Sequence, residues 1–352
     1  MSTISQNIAG PRPSAHLHTA SALRDLDKLR PDVVGLSKAA ILPSLGVHGG
    51  LSIIAYGIAR ATNRVELKDY LWPTGMVINA WWTGIGRHMF GNPQVSFGEA
   101  WSRLSYNQIA LLGAATAWGA RLTYRIVSRS LRRGKDDPRY DDVKTSSGFW
   151  NTAPFTVFLP EAVFQALITL PLTLPLSTDH ISGMYGASPA WAGCFRWAAA
   201  GLFTAGLTME TLADKQMETH KQQAEEHGES KLLRSGVWSI VRHPNYLGDA
   251  LCHFAFPLWN LGSGLFSPWQ LLGPMANYVF LRGIGGDKQN EEYQQERYSK
   301  ENPPKYAQLK EYREEKNSFW PGFRELVNPW TLVCIGSGLA VAGAEFFYEA
   351  SR

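Results

Sequence analysis

The sequence predicts an all-α integral membrane protein, a polytopic bundle of about seven to eight transmembrane helices. Three observations support this fold class: apolar residues gather in blocks, basic residues concentrate on one side of those blocks, and the chain contains 13 tryptophans. The blocks are about 20 residues long, which spans a hydrocarbon core of about 30 Å, and tryptophan favours the membrane interface. The mean hydropathy of -0.18 conceals the pattern because long polar segments offset the apolar blocks.

The apolar blocks define the elements in order. The candidate spans are Ala39–Arg60, Tyr70–Phe90, Tyr106–Val127, Thr152–Leu176, Pro189–Met209, Leu247–Leu261, Leu265–Leu281 and Pro329–Tyr348. The sixth block is short, and we expect it to form a tight hairpin with the seventh. Residues 1–38 are polar and rich in Ser and Pro, and they lack the apolar core of a signal peptide. We therefore predict a disordered N-terminal tail over 1–38 and one integral membrane domain over 39–352.

The charges predict a topology. If the chain alternates sides, four connections share one face: Ala61–Asp69, Ser128–Gly148, Glu210–Tyr246 and Arg282–Glu325. These segments hold nearly all the Lys and Arg outside the tail, whereas the opposite connections hold only Arg103. By the positive-inside rule, the charged face is cytosolic. The mixed-charge run Val127–Lys144 is predicted to be a solvated loop at that face.

Composition excludes several classes of protein. The three cysteines lie in apolar blocks with no paired spacing, so neither a disulfide framework nor a metal site is expected. No basic stripe interleaved with aromatic residues suggests nucleic acid as a partner. The sequence has no Gly-rich dinucleotide fingerprint after a strand, no phosphate-binding loop of the Walker type and no nucleophile elbow. A soluble Rossmann dehydrogenase is therefore excluded.

Several candidate functional residues lie in the segment Ser235–Gly262, at the edge of an apolar block. It carries Arg242, His243, Asn245, Tyr246 and Asp249 around a break formed by Pro244 and Gly248. Ionisable groups beside a membrane segment are costly and mark a functional site. An arginine fork suits phosphate, and an asparagine amide suits a carboxamide such as nicotinamide. An aspartate accepts from ribose hydroxyls or an amide, and a tyrosine stacks and donates a proton.

Further candidates surround this segment. Glu210 and Asp214 are four residues apart, hence on one helix face, and they could share that face with Lys215 and Arg282. The last cytosolic segment adds Tyr298, Tyr306 and Tyr312. Together these groups match a large phosphorylated nucleotide at the cytosolic mouth of a helix bundle. Glu161 and Gln165 share one face of another apolar block, where they form either interhelical hydrogen bonds or a polar substrate pocket.

The segment SGVWSIVRHPNYLGD (Ser235–Asp249) resembles the C-terminal signature of the steroid 5-alpha-reductase-like superfamily of membrane reductases. The likeness is closest to its uncharacterised branch, a domain of unknown function, and extends to four more segments. These are KDDPRY (Lys135–Tyr140), FLPEAVFQALITLPL (Phe158–Leu172), ETLADKQ (Glu210–Gln216) and EYREEKNSFWP (Glu311–Pro321). The resemblance covers about residues 106–323, which it marks as the reductase-like core with its cytosolic cofactor mouth.

The resemblance implies NADPH as cofactor and an NADPH-dependent oxidoreductase acting on a carbon–carbon double bond of a lipophilic substrate. The substrate classes it suggests are a sterol, an enone lipid or an acyl chain. The cofactor positions it implies are Arg242, Asn245, Tyr246, Asp249, Asp214, Tyr306, Glu210, Arg282 and Tyr312, with His243 in the same RHPNY motif. Tyr246 and Tyr306 are candidates for stacking or proton donation. Glu161 and Gln165, with Tyr124, are candidates for contacting the substrate.

Two other functions stay open at this stage. The RHPNY element also resembles that of isoprenylcysteine carboxyl methyltransferases, which implies an S-adenosylmethionine-dependent membrane methyltransferase. A non-catalytic lipid- or cofactor-binding membrane protein would keep the same scaffold. In each case the partners are the lipid bilayer and a lipophilic small molecule. The family implies a role in lipid metabolism and, in a eukaryote, the endoplasmic reticulum as the location.

Overall fold

The computed structural model describes residues 37–177, 192–228 and 231–351. Every regular element in these ranges is helical, which confirms the all-α fold class. The predicted N-terminal tail falls outside the described residues except for its last two, which open a helical turn, Ser37–Ile41. The start of the predicted span Pro189–Met209 also lies outside the described residues.

The α-helices of the described ranges follow in chain order. They are α1 (Leu42–Thr62), α2 (Leu67–Trp81), α3 (Arg87–Gly91), α4 (Phe97–Ser102), α5 (Tyr106–Arg133), α6 (Asp141–Lys144), α7 (Phe149–Ala153), α8 (Leu159–Ile168), α9 (Leu170–Ser177), α10 (Gly193–His227), α11 (Pro244–Gly262), α12 (Leu272–Val279), α13 (Asp287–Glu301), α14 (Pro303–Glu315) and α15 (Pro329–Ala350). Single π-helical turns link several of them, at Trp82–Gly86, Pro154–Phe158 and Phe280–Ile284.

Two helices of the described ranges are long and apolar enough to cross a membrane, namely α1 and α15. The segment Phe149–Ile168 with α9 forms a third candidate, bent by 58°. These helices indicate a membrane protein. The other predicted spans are helical, but they do not meet the same standard of length and composition, so seven to eight spans stay a prediction. Helices α5 and α10, for example, carry charged side chains that pair with each other.

Local signals in the sequence explain where the long helices begin. Ser105 precedes α5 and forms a capping box with Gln108, in which each side chain accepts from the other residue's backbone amide. Asn328 caps α15, and its side-chain oxygen accepts from the Trp330 amide at 2.9 Å. Proline occupies the first position of both α11 and α15, where no amide hydrogen is required.

Helix α10 is the axis of the C-terminal half, because it packs along both α11 and α15. It crosses α11 where Gly206 faces Gly248, and a Cβ on Gly206 would lie 2.6 Å from the Gly248 carbonyl oxygen. It crosses α15 where Gly201 faces Gly338, with 2.4 Å between a Cβ on Gly338 and the Gly201 oxygen. Small residues at such crossings allow backbones to approach closely. The glycine pairs thus set the positions of α11 and α15.

Helices α1, α2 and α8 form a second group that packs together, and α5 joins it through α2. Helix α12 contacts both groups, because it packs on α8 and on α11. An apolar cluster built by Met76, Trp118, Ile168 and Cys252 fills the space where α2, α5, α8 and α11 meet. The polar groups described below are attached to the edges of this cluster.

The mixed-charge run Val127–Lys144 differs from the predicted solvated loop. Helix α5 continues through it to Arg133 and ends at Gly134, whose φ is 68°. Beyond that point Asp136 is buried and accepts from the amides of Val65 and Glu66, both at 3.0 Å. Burial opposes ionisation of the neighbouring Asp137, but the hydrogen bond and charge of Arg139 lower its pKa to about 2. Backbone amides and cationic side chains of the protein therefore take the place of water around the carboxylates of Asp136 and Asp137.

Candidate functional site

The Arg-His-Pro turn lies where α11 begins, against the chain that follows α14. The backbone amides of Arg242 and His243 donate to the carbonyl oxygens of Asn317 and Ser318, both at 3.0 Å. Pro244 then starts the helix. The turn is therefore held by backbone pairing on one side and by a helix start on the other. This geometry agrees with the predicted break before the apolar block.

Glu291 of α13 engages both cations of the turn. Arg242 donates to the two carboxylate oxygens of Glu291, from Nε at 2.8 Å and from Nη2 at 3.0 Å. His243 Nε2 lies 3.1 Å from the same carboxylate. Burial would raise the pKa of Glu291, but the hydrogen bond from His243 and the charge of Arg242 lower it to about 2. Arg242 Nη1 also donates to the carbonyl oxygen of Lys316 at 2.7 Å, so each guanidinium nitrogen has an acceptor within the protein.

Asn245 and Tyr246 occupy the first turn of α11. The Tyr246 hydroxyl accepts from Asn290 Nδ2 of α13 at 2.6 Å, and its phenol lies within electrostatic reach of Arg139 and Arg129. The Asn245 side-chain oxygen is buried and has no hydrogen-bond partner among the described residues. Because an unpaired buried acceptor is costly, this oxygen is suited to receive a donor from a ligand.

Asp249 lies inside the bundle rather than at its mouth, with 4% of its surface exposed. One carboxylate oxygen accepts from Trp118 Nε1 of α5 at 3.1 Å, and the other accepts from Asn277 Nδ2 of α12 at 2.9 Å. These two donors bring three helices together at one carboxylate. Asp249 is thus held by one protein donor at each oxygen, and its contact with a ribose or an amide stays a prediction.

His253 lies one turn beyond Asp249 and is also buried. Its Nδ1 is 3.0 Å from the Asp249 carbonyl oxygen and 3.7 Å from a carboxylate oxygen of the same residue. Its ring meets the indole of Trp118 edge to face at 4.8 Å. The other nitrogen, Nε2, is buried and has no partner in the described part of the chain. Nε2 is therefore the ring atom of His253 that is available to contact a bound molecule.

Alternating charges join α5 to α10. Arg121 pairs with Glu210 and with Asp214, the latter at 2.7 Å. Arg125 continues the series, with 3.4 Å to Asp214 and 2.7 Å to Glu218. Glu210 and Asp214 share a helix face, as the sequence predicts, but their partner is the unpredicted Arg121. The second oxygen of Glu210 is buried and unpartnered among the described residues.

Two cations at the C-terminal end of this series, Arg129 of α5 and Lys221 of α10, lack an acidic partner among the described residues. Within the described ranges, neither Arg129 of α5 nor Lys221 of α10 forms an ion pair, and Arg129 Nε is buried without a hydrogen bond. Partial desolvation and the charges of Arg129 and Arg125 lower the pKa of Lys221. Because neighbouring cations lower the pKa of Lys221, this cluster is a favourable place for an anion to bind.

A cleft of about 140 Å³ opens beside this region, between the end of α10 and the helices α13 and α14. Its walls combine basic groups with rings and one acid: His220, Lys221, Lys231, Arg242, His243, Lys305, Trp238, Tyr298, Tyr312 and Glu291. Of the predicted cofactor residues, it brings together Arg242, His243 and Tyr312.

The remaining aromatic and basic candidates have local roles. Arg282 pairs with Asp287 at the start of α13 and donates to Ser318 Oγ at 2.6 Å. Tyr312 is buried, and its hydroxyl donates to the carbonyl oxygens of Trp238 and Val241. Tyr306 lies under the Lys310 ammonium, 4.5 Å from its ring centre, and it does not line the cleft. These contacts hold α13 and α14 against the Arg-His-Pro turn.

Glu161 and Gln165 belong to a separate polar group on α8. Glu161 pairs with Lys68, and Gln165 is buried, with its side-chain nitrogen unpartnered among the described residues. A Cβ on Gly75 would lie 2.9 Å from Gln165 Oε1 and 3.0 Å from His48 Nδ1, so glycine makes room for both side chains. Ile168, on the same helix α8, belongs to the apolar cluster with Met76, Trp118 and Cys252.

The predicted residues therefore fall into three places. Arg242, His243 and Tyr312 line the cleft; Asn245 and Tyr246 lie at the first turn of α11; and Asp249, Glu210 and Asp214 lie in the interior. Tyr306, Arg282, Glu161 and Gln165 lie apart from these places. The sequence reasoning missed Trp118, Arg121, Arg129, His253 and Asn277. For His253 a signal existed, because it lies one helical turn from Asp249. Among the described residues, no cluster of His, Cys, Asp and Glu is arranged to hold a metal ion.

Comparison with known families gives one match. Residues 55–312 match the family described as "Protein of unknown function (DUF1295)". The chain belongs to this family. The match confirms the resemblance to the uncharacterised branch of the reductase-like superfamily, while kinship of the RHPNY element with other enzymes stays a prediction. Searches of curated proteins and of solved structures found no match. The matched range ends within α14 and leaves out α15.

Proposed function

We propose that this protein is a membrane-embedded, NADPH-dependent reductase of a carbon–carbon double bond in a lipophilic substrate. The observation that carries the proposal is the buried Asp249–His253 pair, whose free imidazole nitrogen borders an apolar interior beneath a cationic end of the bundle. Reduction of a double bond requires a proton as well as a hydride. Transfer of a methyl group to a carboxylate requires no proton donor, so this pair favours the reductase over the methyltransferase.

The residues present fit the groups of the cofactor. Arg129 and Lys221 are cations without an acidic partner in the described ranges, and they suit phosphate. The unpartnered oxygen of Asn245 suits the amide hydrogens of the nicotinamide. Arg242 contacts phosphate only if Glu291 releases it. When bound, NADPH supplies the hydride; the protein supplies binding, orientation and exclusion of water.

His253 is the proton source in this proposal. Its Nδ1 hydrogen is held by the Asp249 carbonyl oxygen, so the neutral ring presents Nε2 as an acceptor and the protonated ring presents it as a donor. The Asp249 carboxylate lies 3.7 Å from Nδ1 on the same side of the ring, so it orients the imidazole. Transfer of the Nε2 proton to a substrate carbon leaves a neutral ring, which recovers a proton from the Arg121–Glu210 side or from solvent.

The substrate side of the proposal rests on the apolar cluster of Met76, Trp118, Ile168 and Cys252. A lipophilic molecule that displaces part of this packed cluster would lie beside His253, because Trp118 of the cluster meets the His253 ring. This position accommodates a sterol, an enone lipid or an acyl chain. Multi-pass insertion with the charged loops in the cytosol, and a location in the endoplasmic reticulum of a eukaryotic cell, are parts of the same proposal.

The test is a titration of the detergent-purified full-length protein with NADPH and, in parallel, with S-adenosylmethionine. We expect saturable NADPH binding that Arg129→Gln weakens about tenfold, because loss of one charge-assisted contact costs about 1.4 kcal/mol. The matched control is Arg132→Gln, one turn further along α5, where the side chain is 54% exposed and paired with Glu218. That variant should bind as the unchanged protein does. Binding of S-adenosylmethionine alone makes the protein a methyltransferase, and binding of neither leaves a non-catalytic lipid-binding role.

A further inference from the structure

A second cavity lies at the end of the bundle opposite the charged cleft, where α5 and α10 begin and α11 and α15 end. Its volume is about 330 Å³, within the range of small-molecule sites. One part of its wall consists of small side chains, including Ala110, Ala114, Ala200 and Ala344, and another part presents the rings of Phe203 and Trp259. Val341 at its edge is 42% exposed on the apolar surface of α15, so the cavity can be entered from lipid.

Glu345 is the acidic group in this apolar lining, and its side chain is 10% exposed. One carboxylate oxygen accepts from the Tyr106 hydroxyl at 2.7 Å. The other, Oε1, is buried and has no hydrogen-bond partner in the described part of the chain. Arg196 Nε lies 3.8 Å from Oε1, beyond hydrogen-bond distance, while Nη2 of the same guanidinium pairs with Glu349. A carboxylate oxygen shielded from water and lacking a donor is costly unless a ligand supplies that donor.

We propose that this cavity binds a lipid alcohol, whose hydroxyl donates to Glu345 Oε1 and whose apolar body lies against the alanine and aromatic walls. Arg196 already offsets part of the local negative charge, so the missing element is a hydrogen-bond donor. Flat walls of alanine and aromatic rings suit the ring system of a sterol, and a linear long-chain alcohol presents the same donor. The proposal depends on Glu345 rather than on the groups assigned to the reductase chemistry, and Glu345 belongs to α15, outside the residues that match the family.

The experiment uses the full-length protein in detergent and a fluorescent sterol alcohol as the probe, read by energy transfer from the protein's tryptophans. The competitors are the corresponding sterol ketone, which lacks the donor, and a linear long-chain alcohol. Three variants are compared: Glu345→Gln, which weakens the acceptor; Ala114→Phe, which fills the cavity; and Glu349→Gln as the matched control. Glu349 lies one turn further along α15, pairs with Arg196 and does not line the cavity.

We expect saturable binding of the probe, about tenfold weaker in Glu345→Gln, unchanged in Glu349→Gln and lost in Ala114→Phe. The sterol ketone should compete at least tenfold less well than the alcohol in the unchanged protein, and this measurement does not depend on any variant folding. The linear alcohol distinguishes the two sources: weak competition assigns the site to a sterol, and equal competition assigns it to an acyl-chain alcohol. The proposal fails if the ketone competes as well as the alcohol, if Glu349→Gln reproduces the loss, or if binding does not saturate.

Discussion

Replacing Glu291 by Gln tests whether one carboxylate holds helices α13 and α14 against the Arg-His-Pro turn. Arg242, His243 and Arg313 all reach Glu291, whose side chain is 17% exposed. The pKa of this carboxyl falls from 4.5 to about 2, and each pKa unit corresponds to about 1.4 kcal/mol. The pairing therefore stabilises the packing of α13 against the Arg-His-Pro turn, the closed arrangement, by about 3 kcal/mol. This agrees with the cost of breaking a largely buried pair.

The assay is hydrogen exchange of the backbone amides of α13 and α14 in the detergent-purified protein. A loss of about 3 kcal/mol in local opening corresponds to exchange about 100-fold faster in Glu291→Gln. Glu292→Gln is the matched control, because the Glu292 side chain is exposed and forms no ion pair among the described residues. Equal protection of α13 in both variants would refute the reasoning.

The same carboxylate predicts a pH dependence with a definite sign. Its pKa in the folded protein is below its value in the unfolded chain, so the ionised form stabilises the closed arrangement. This stabilisation is fully present above about pH 4.5 and is lost as the pH falls toward 2. In Glu291→Gln the exchange of α13 should lose this dependence on pH, whereas Glu292→Gln should keep it.

Two further substitutions test the interior, with thermal unfolding in detergent as the measurement. Asp249→Ala leaves two buried donors unpaired and should cost about 3 kcal/mol, lowering the unfolding temperature by several degrees, whereas the exposed Asp141→Ala should not. Gly206→Ala places a methyl group against the α11 backbone and should cost about 2 kcal/mol. Gly113→Ala, with open space around it, should be neutral or slightly stabilising. An unchanged melting temperature in Gly206→Ala would contradict the close crossing.

Much of the fold follows from local sequence signals. The helical class, the start of α11 at Pro244 and the polar continuation of α10 beyond the apolar block all depend on residues near one another in the chain. The number of spans does not follow so readily. Helices α5 and α10 carry charges that a hydropathy average counts as polar, although several of them, such as Arg121 with Asp214 and Arg125 with Glu218, pair across the helix interface.

The candidate site was only partly predictable for a related reason. Asp249 was identified as important, but its partner Trp118 is 131 residues away in the sequence, and no local pattern joins the two. Arg242 was assigned to phosphate from its chemistry, whereas the nearby α13 supplies Glu291 as an internal partner. Arg129 is missed because the sequence predicts a loop over Val127–Lys144. In the structure α5 continues to Arg133, so Arg129 lies on the helix.

The charges along α5 and α10 also constrain how the chain assembles during synthesis. Arg121 precedes Glu210 by 89 residues, so it leaves the ribosome well before its partner exists. An unpaired arginine at the centre of a bilayer costs about 3 kcal/mol on insertion scales. In a multi-pass arrangement, the end of α5 that carries these arginines therefore stays on the aqueous side until α10 emerges. If both helices span the membrane, as proposed, they would reach their final depth as a pair, and the order of translation would become part of the folding pathway.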